Sequence, residues 1–373
     1  MRRSPNSNSL VFICFTIFSH ALVAIAENPL APALYVFGDS LLDSGNNNFL
    51  PTIAKANYLP YGVDFAGGVT GRFTNGKTVA DYIGESWCQY NFLLLCSSQL
   101  GLPFAPPSIN LFKSGTITGR NYASGSCGIL PLTGSEFGKC LNLDDQVVLF
   151  QKTIEMELQP HFGSSKELSD YLSKSIFVIN IGNNDYGGYL VSYVSKPNLM
   201  YTPQAFAQLL KDILSQRLET LYKLGARKFL VFEIAPIGCM PIVTRLVPHE
   251  GPCVEELNQV VSVFNDGLPA MLKQLTTSLQ GSTFALGYFS KLGHDMITNP
   301  SKYGLGDTTD PCCIAANNGA WTCIPGLVSC SDGGRHAFWD GMHLTEAIYS
   351  TIGTRCFNDS SVCSPTIQQL VQG

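Results

Sequence analysis

Five residues spread along the chain have the types and the order that acyl transfer by a serine nucleophile requires: Ser40, Gly125, Asn184, Asp340 and His343. In such chemistry an imidazole takes the proton of the serine hydroxyl, and a carboxylate holds the other ring nitrogen and stabilises the imidazolium. Asp340 and His343 are three residues apart, so the carboxylate can reach the imidazole within one short turn. The backbone N–H groups of Ser40 and Gly125, with the side-chain amide of Asn184, would stabilise the oxyanion.

Each of these residues also has a purely structural explanation. Ser40 follows an apolar run and could cap a helix, and Gly125 and Asn184 are common turn residues. His343 could be a hydrogen-bonding residue at a helix start, with Asp340 as its structural partner. Because all five occur together and in order, we interpret them as parts of one catalytic site.

The elements that would position these residues alternate between strands and helices. Short apolar runs predict strands, and apolar residues at helical spacing predict helices between them. The predicted strands are 33–37, 176–181, 228–234 and 283–288, and residues 119–125 are predicted as a strand that runs into a loop of small residues. The predicted helices are 78–85, 143–156, 203–224 and 255–279. This alternation predicts a mostly parallel sheet with helices on both faces, in a three-layer α/β/α fold. Ligands bind at the carboxyl ends of such strands, where Ser40, Gly125 and Asn184 are expected.

Composition indicates one globular domain rather than several. The 373 residues include 45% apolar and 14% charged residues, and no low-complexity linker divides residues 27–373. The net charge of −5 is spread over the chain without a basic cluster. Nucleic acid and anionic membrane surfaces are therefore not expected as partners.

The N-terminus has the pattern of a secretory signal peptide. Arg2 and Arg3 precede an apolar run at residues 10–18, and Ala24-Ile25-Ala26 matches a cleavage site. A membrane anchor is the alternative, but the apolar run is short. We predict a signal peptide at residues 1–26, no transmembrane segment in the mature chain, and a secreted protein.

Cysteine usage agrees with export. Of 13 cysteines, Cys14 lies in the leader, and the remaining even number fits disulfides in an oxidising compartment. Spacing does not determine their pairing. A zinc site is disfavoured because no Cys-x-x-Cys pair occurs and no histidine lies at finger spacing. Asn358 opens an Asn-Asp-Ser sequon, which predicts glycosylation in an exported chain.

Four separated blocks resemble those of the plant GDSL-type esterase/lipase family, within the SGNH hydrolase superfamily. They are Phe37-Gly38-Asp39-Ser40, Asn121-Tyr122-Ala123-Ser124-Gly125, Gly182-Asn183-Asn184-Asp185 and Asp340-Gly341-Met342-His343. The resemblance extends to residues 61–65, 71–77 and 236–239. It implies a flavodoxin-like sheet and a reaction without metal or cofactor. It also implies Ser40 as nucleophile, His343 as base, Asp340 as the orienting acid, and an oxyanion hole of Ser40, Gly125 and Asn184.

The chain departs from the family pattern in two places. Leu344 follows the expected catalytic histidine, where the family usually has proline. Residues 87–98 interrupt a stretch that is continuous in the family, so we predict an insertion there, either a lid-like loop or a translated intron. The chain also has no Gly-x-Ser-x-Gly elbow around Ser40, which disfavours an ordinary α/β-hydrolase.

Together these observations predict a secreted serine esterase or lipase that cleaves carboxylic esters through an acyl-enzyme. One alternative is an acyltransferase that uses the same triad, and another is a secreted cell-wall binding protein with a vestigial site. The substrate class stays open between lipid, cutin-like polyester, acetylated glycan and phenolic ester.

Overall fold

A six-stranded sheet forms the centre of the computed structural model, which describes residues 29–88, 96–98, 100–109, 117–195 and 200–373. The predicted signal peptide at residues 1–26 lies outside these ranges. The strands are β1 (Leu34–Gly38), β2 (Gly119–Asn121), β3 (Ile176–Asn180), β4 (Lys228–Phe232), β5 (Thr283–Gly287) and β6 (Cys363–Ser364).

The strands lie in the order β6-β5-β4-β3-β1-β2. The pairs from β2 through β5 are parallel, and β6 pairs antiparallel with β5 at the edge. This is the flavodoxin-like order, in which the chain winds to one side of β1 and then to the other. The prediction of a mostly parallel, flavodoxin-like sheet is therefore confirmed. Such an order opens a crevice at the carboxyl ends of β1 and β3.

Helices flank the sheet. The longer ones are α1 (Val79–Gly84), α2 (Leu143–Thr153), α3 (Ser165–Lys174), α4 (Asn183–Ser195), α5 (Pro203–Lys223), α6 (Glu255–Ser278), α7 (Phe289–Thr298), α8 (Glu346–Cys356) and α9 (Ile367–Gln372). Shorter helical turns lie at Asn46–Phe49, Ser135–Phe137, Ile154–Leu158, Gln159–His161, Ile237–Cys239, Pro241–Thr244, Pro300–Tyr303, Ala316–Gly319 and Gly333–Arg335. Helix α5 contacts both α2 and α6, and helix α8 contacts both α1 and α7.

Burial explains why these segments form. All five residues of β1 and of β3 are buried, as expected for central parallel strands covered on both faces. Helix α5 buries a stripe at three- and four-residue spacing, including Phe206, Leu210 and Leu214. Its start is defined by Thr202, whose side chain accepts the Ala205 N–H.

The helix expected directly after Ser40 does not form. Residues 39–43 make a turn in which the N–H groups of Leu42 and Asp43 donate to the Asp39 carbonyl at 3.2 and 3.1 Å. The Asp39 carboxylate also accepts the Leu41 N–H at 3.1 Å, which favours a turn over a continued helix. The suggestion that Ser40 begins a helix is wrong.

The predicted insertion leaves and rejoins the domain at one place. Backbone segments Ser86–Cys88 and Cys96–Ser98 pair antiparallel, and residues 89–95 lie outside the described ranges. Gly84, which precedes this pair of segments, and Leu102, which follows it, are joined by a hydrogen bond: the Leu102 N–H donates to the Gly84 carbonyl at 2.8 Å. The segments that flank residues 87–98 are thus hydrogen-bonded to each other, so an insertion between them need not separate them. That residues 87–98 are an insertion stays a prediction.

Disulfides tie several loops of the described chain. The pairs are Cys127–Cys140, Cys239–Cys253, Cys312–Cys330, Cys313–Cys323 and Cys356–Cys363. In the same ranges, no helix combines the length and the apolar character needed to cross a bilayer.

Candidate active site

Ser40, His343 and Asp340 meet at the carboxyl end of β1. The Ser40 Oγ lies 2.9 Å from His343 Nε2. The other ring nitrogen, Nδ1, lies 2.9 and 2.8 Å from the two carboxylate oxygens of Asp340. Asp340 is fully buried, whereas Ser40 and His343 retain 8% and 5% exposure. The arrangement offers an imidazole that can accept the serine proton while its other nitrogen donates to a carboxylate.

Ser40 is positioned by the way β1 ends. Beyond the last β1–β2 pair, the Gln146 side chain holds Gly38: its Oε1 accepts the Gly38 N–H at 2.9 Å, and its Nε2 donates to the Gly38 carbonyl at 2.8 Å. The Ser124 N–H, in the loop after β2, also donates to that carbonyl at 3.1 Å. On the other side, the Asp39 N–H donates to the Asn180 carbonyl of β3 at 3.2 Å. A Cβ on Gly38 would lie only 2.5 Å from that carbonyl oxygen, so the junction requires glycine.

A short turn before α8 positions Asp340 and His343. The Asp340 Oδ1 accepts the N–H groups of Met342 and His343, both at 2.8 Å. The Trp339 N–H donates to the His343 carbonyl at 2.8 Å and closes the turn. Helix α8 begins three residues after His343. The three-residue spacing of Asp340 and His343 therefore brings their side chains together within this turn and not within the helix.

Two aromatic residues complete the surroundings of this group. The Tyr61 hydroxyl donates to Asp340 Oδ2, and the Phe73 ring lies 4.9 Å from the His343 ring, centroid to centroid, at 34°. A Cβ on Gly125 would lie 2.7 Å from Phe73 ring atoms, so this ring also contacts the Gly125 loop. Sequence reasoning assigned neither residue a role. The available signal was that both lie in segments that resemble the family, 61–65 and 71–77.

The three predicted oxyanion donors differ in how they are engaged. Within the described ranges, the Ser40 N–H has no hydrogen-bond acceptor. Asn184 Nδ2 uses one of its two protons on the Cys127 carbonyl at 2.9 Å, so the second proton is left for a ligand. The Gly125 N–H, by contrast, donates to Asp43 Oδ2 at 3.0 Å. The role of Gly125 stays a prediction.

Two buried carboxyl groups organise the loops around Ser40. Burial raises the pKa of Asp39 to about 6, against the hydrogen bonds from Asn183 and Leu41 that lower it. Burial likewise raises the pKa of Asp43 to about 6, against backbone N–H donors that include Gly45 and Gly125. Asp39 connects the ends of β1 and β3, because its Oδ2 accepts from Asn183 Nδ2 at 2.8 Å.

Two clusters in the described chain have the spacing of metal ligands: Cys239, Cys253 and His294, and Cys330, Asp332 and His336. The cysteines of both clusters are in disulfides and offer no thiolate. Neither cluster includes Ser40, Asp340 or His343. That the reaction needs no metal or cofactor stays a prediction.

Comparison with known proteins gives a consistent family. The family model described as GDSL-like Lipase/Acylhydrolase matches residues 34–355. GDSL esterase/lipase 7 of Arabidopsis thaliana is 41% identical over 341 residues, which cover 90% of each chain. A second GDSL esterase/lipase of that plant is 38% identical, over 90% of this chain and 86% of its own. A third is 40% identical, over 98% of this chain and 99% of its own.

Proposed function

Because the chain belongs to the GDSL-like lipase/acylhydrolase family and is a carboxylic ester hydrolase, we propose that it works through an acyl-enzyme on Ser40. In this proposal His343 is the base and Asp340 orients it. The observation that supports this most directly is the 2.9 Å separation of Ser40 Oγ and His343 Nε2. That distance is within direct proton-transfer reach.

The reaction would proceed in two halves. His343 Nε2 takes the hydroxyl proton as Ser40 Oγ bonds to the ester carbonyl carbon, and the carbonyl oxygen becomes an oxyanion. The oxyanion collapses, the bond to the alkoxy oxygen breaks, and His343 returns the proton so that the alcohol leaves. Water then attacks the acyl-enzyme by the same route, which releases the carboxylic acid and regenerates Ser40.

The oxyanion would be met by the Ser40 N–H and the second Asn184 amide proton, with Gly125 as the third donor once its bond to Asp43 is exchanged. Loss of one such donor typically costs about 3 kcal/mol of barrier. Since His343 must be neutral to act as base, activity should rise with pH toward neutrality.

We also propose that the protein is exported. The disulfides of the described chain support an oxidising compartment. Asn358, the proposed glycosylation site, is exposed at the end of α8. Esters found outside the cell, whether lipid, cutin-like polyester, acetylated glycan or phenolic ester, are the substrates that fit this location.

Hydrolysis of a nitrophenyl ester tests the nucleophile. Ser40→Ala should lower kcat by about a thousand-fold or more, because the attacking oxygen is removed. Ser44→Ala is the matched control: Ser44 is in the same segment, and its buried hydroxyl has no hydrogen-bond partner among the described residues. Equal rates for Ser40→Ala and wild type would refute the proposal.

A further inference from the structure

We propose that Tyr61 is a positioning residue for the reaction, which holds the Asp340 carboxylate in the orientation that His343 requires. The inference rests on the proposed function, since it assigns Tyr61 a role only through Asp340. It adds a residue that lies 279 positions from Asp340 in the sequence, and it gives the disulfide-bonded loop at 312–330 a part in catalysis.

The direction of the Tyr61 hydrogen bond is determined by its second partner. The Cys323 N–H lies 3.2 Å from the Tyr61 hydroxyl oxygen and can only donate to it. The single hydroxyl proton is therefore free for Asp340 Oδ2, with which the hydroxyl makes a short hydrogen bond. Tyr61 consequently acts as a donor to the carboxylate.

Asp340 depends on such donors because it is fully buried. Its Oδ1 receives two backbone N–H groups, from Met342 and His343, whereas its Oδ2 receives the Tyr61 hydroxyl. In the described part of the chain, no lysine or arginine forms a salt bridge with Asp340; its ionic partner is His343. The Tyr61 hydroxyl is thus the side-chain donor, other than the imidazole, that shares the Asp340 charge.

Tyr61 keeps its proton under working conditions. Burial and then the neighbouring Asp340 charge raise the pKa of the Tyr61 hydroxyl well above its usual value. The hydroxyl therefore remains a donor across the range in which an esterase operates.

Two separate segments hold the Tyr61 ring in place. Tyr58 and Phe73 contact it edge-on, at centroid distances of 5.3 and 6.2 Å. Cys323, which anchors the hydroxyl, is bonded to Cys313. Tyr61 itself is fully buried. The position of the hydroxyl is therefore maintained by packing and by a covalent loop closure. The same loop is joined to the turn that carries Asp340, because the Cys313 N–H donates to the Trp339 carbonyl and the Gly341 N–H to the Trp321 carbonyl, both at 2.9 Å.

Removing the hydroxyl should change the reaction in a defined way. Without Tyr61, the Asp340 charge is shared with fewer donors, so it stabilises a protonated His343 more strongly. The acid limb of the pH profile, that is the pH range in which kcat/KM falls as pH is lowered, should then lie about half a pH unit to one unit higher. Looser orientation of Asp340 should lower kcat by about ten-fold, with KM little changed because Tyr61 does not contact the substrate.

Tyr61→Phe tests this directly in the full chain, with Tyr122→Phe as the matched control. Tyr122 is also fully buried and donates its hydroxyl to Thr153 at 2.8 Å, away from Asp340. Tyr61→Phe loses two buried hydrogen bonds, to Asp340 and from the Cys323 N–H, whereas Tyr122→Phe loses one. Both variants should therefore unfold at lower temperatures, Tyr61→Phe by the larger amount. Only Tyr61→Phe should show the lower kcat and the shifted acid limb.

A double-mutant cycle with Asp340→Asn separates positioning from a general structural effect. If Tyr61 acts through Asp340, then Tyr61→Phe should cost less than about two-fold in kcat when Asp340 is already Asn. An unshifted acid limb, or an equal loss of kcat in both backgrounds, would overturn the inference. Ser40→Ala in the same assay distinguishes the two proposals, because full activity there would refute the nucleophile itself.

Discussion

His343 meets a different kind of group on each of three sides. Ser40 offers a proton to Nε2, Asp340 offers negative charge to Nδ1, and Phe73 offers an aromatic face at 4.9 Å. An aromatic face attracts a cation, so Phe73 should favour the imidazolium that forms in the transition state. Tyr61 acts in the opposite sense, because it draws charge away from Asp340.

Phe73→Leu should therefore lower kcat/KM by about three- to thirty-fold. With less stabilisation of the imidazolium, the acid limb of kcat/KM should move to lower pH, opposite to the shift expected for Tyr61→Phe. Phe150→Leu is the control, because Phe150 is a residue of α2 whose side chain is fully buried in the core. It should lower the unfolding temperature without moving the limb. A limb that moved upward in Phe73→Leu would contradict this interpretation.

At this scale, sequence reasoning found the residues that carry recognisable chemistry and missed those that support them. Ser40, Asp340 and His343 have side chains whose reactivity names a role, and the structure brings them together. Tyr61 is 279 residues from Asp340, and a buried tyrosine most often serves packing. Only the folded chain shows which carboxylate its hydroxyl meets.

The junction of β1 and β3 determines where the nucleophile points. Gly38 lies opposite Asn180 in the last register pair of these strands. Directly beyond this pair, the backbone turns and carries Ser40 toward His343. Any side chain at position 38 would push the two strands apart, because its Cβ would meet the Asn180 carbonyl oxygen at 2.5 Å.

Gly38→Ala should cost about 1–3 kcal/mol of unfolding free energy and lower kcat at least ten-fold, because the strands must separate at the site. Gly187→Ala is the control: it lies in α4, where an added Cβ meets nothing within 4 Å. That variant should be as stable as wild type or more stable. Denaturant unfolding and nitrophenyl ester kinetics measure both effects, and an unchanged kcat in Gly38→Ala would exclude this role for the junction.

Whether a segment is a helix or a strand was predictable from the sequence where the apolar periodicity was strong. The residues at which helices and strands end were not predictable. The predicted strand 228–234 stops at Phe232, and the backbone of Ile234 pairs with the Asn265 side chain of α6, which accepts its N–H at 2.9 Å and donates to its carbonyl at 3.0 Å. The Glu233 carboxylate accepts the Ser290 and Lys291 N–H groups at the start of α7. Strand β6 has only two residues, too few for any alternation to be recognised. Such side-chain contacts between distant segments cannot be read from local sequence.

The molecule as a whole contains several carboxyl groups that burial makes harder to ionise. Burial raises the pKa of Asp39 and Asp43 to about 6 and that of Glu233 to about 7. In an unfolded chain these groups have pKa values near 4. The stability they contribute is therefore fully present below about pH 4 and is lost as pH rises through 6 to 7. The fold should be more stable at pH 5 than at pH 8, whereas activity should rise toward neutrality.

Glu233→Gln should reduce this pH dependence, because glutamine can still accept the two N–H groups without a charge. At pH 8 we expect a gain of about 1–3 kcal/mol, or roughly 2–4 °C in unfolding temperature, with a smaller effect at pH 5. The exposed Glu250, changed to Gln, is the control. Thermal unfolding at both pH values measures the difference; an equal shift at pH 5 and pH 8 would contradict the assignment.

The Ser40–His343 contact joins positions 303 residues apart in the chain. During synthesis the ribosome makes Ser40, the proposed nucleophile, early and His343, its proposed base, near the end. Under the proposed mechanism, a growing or prematurely terminated chain would carry a serine without its proton acceptor and should not hydrolyse the esters of the cell that makes it. By the same mechanism, hydrolysis should begin only when the segment around residues 339–345 has emerged and packed against the end of β1.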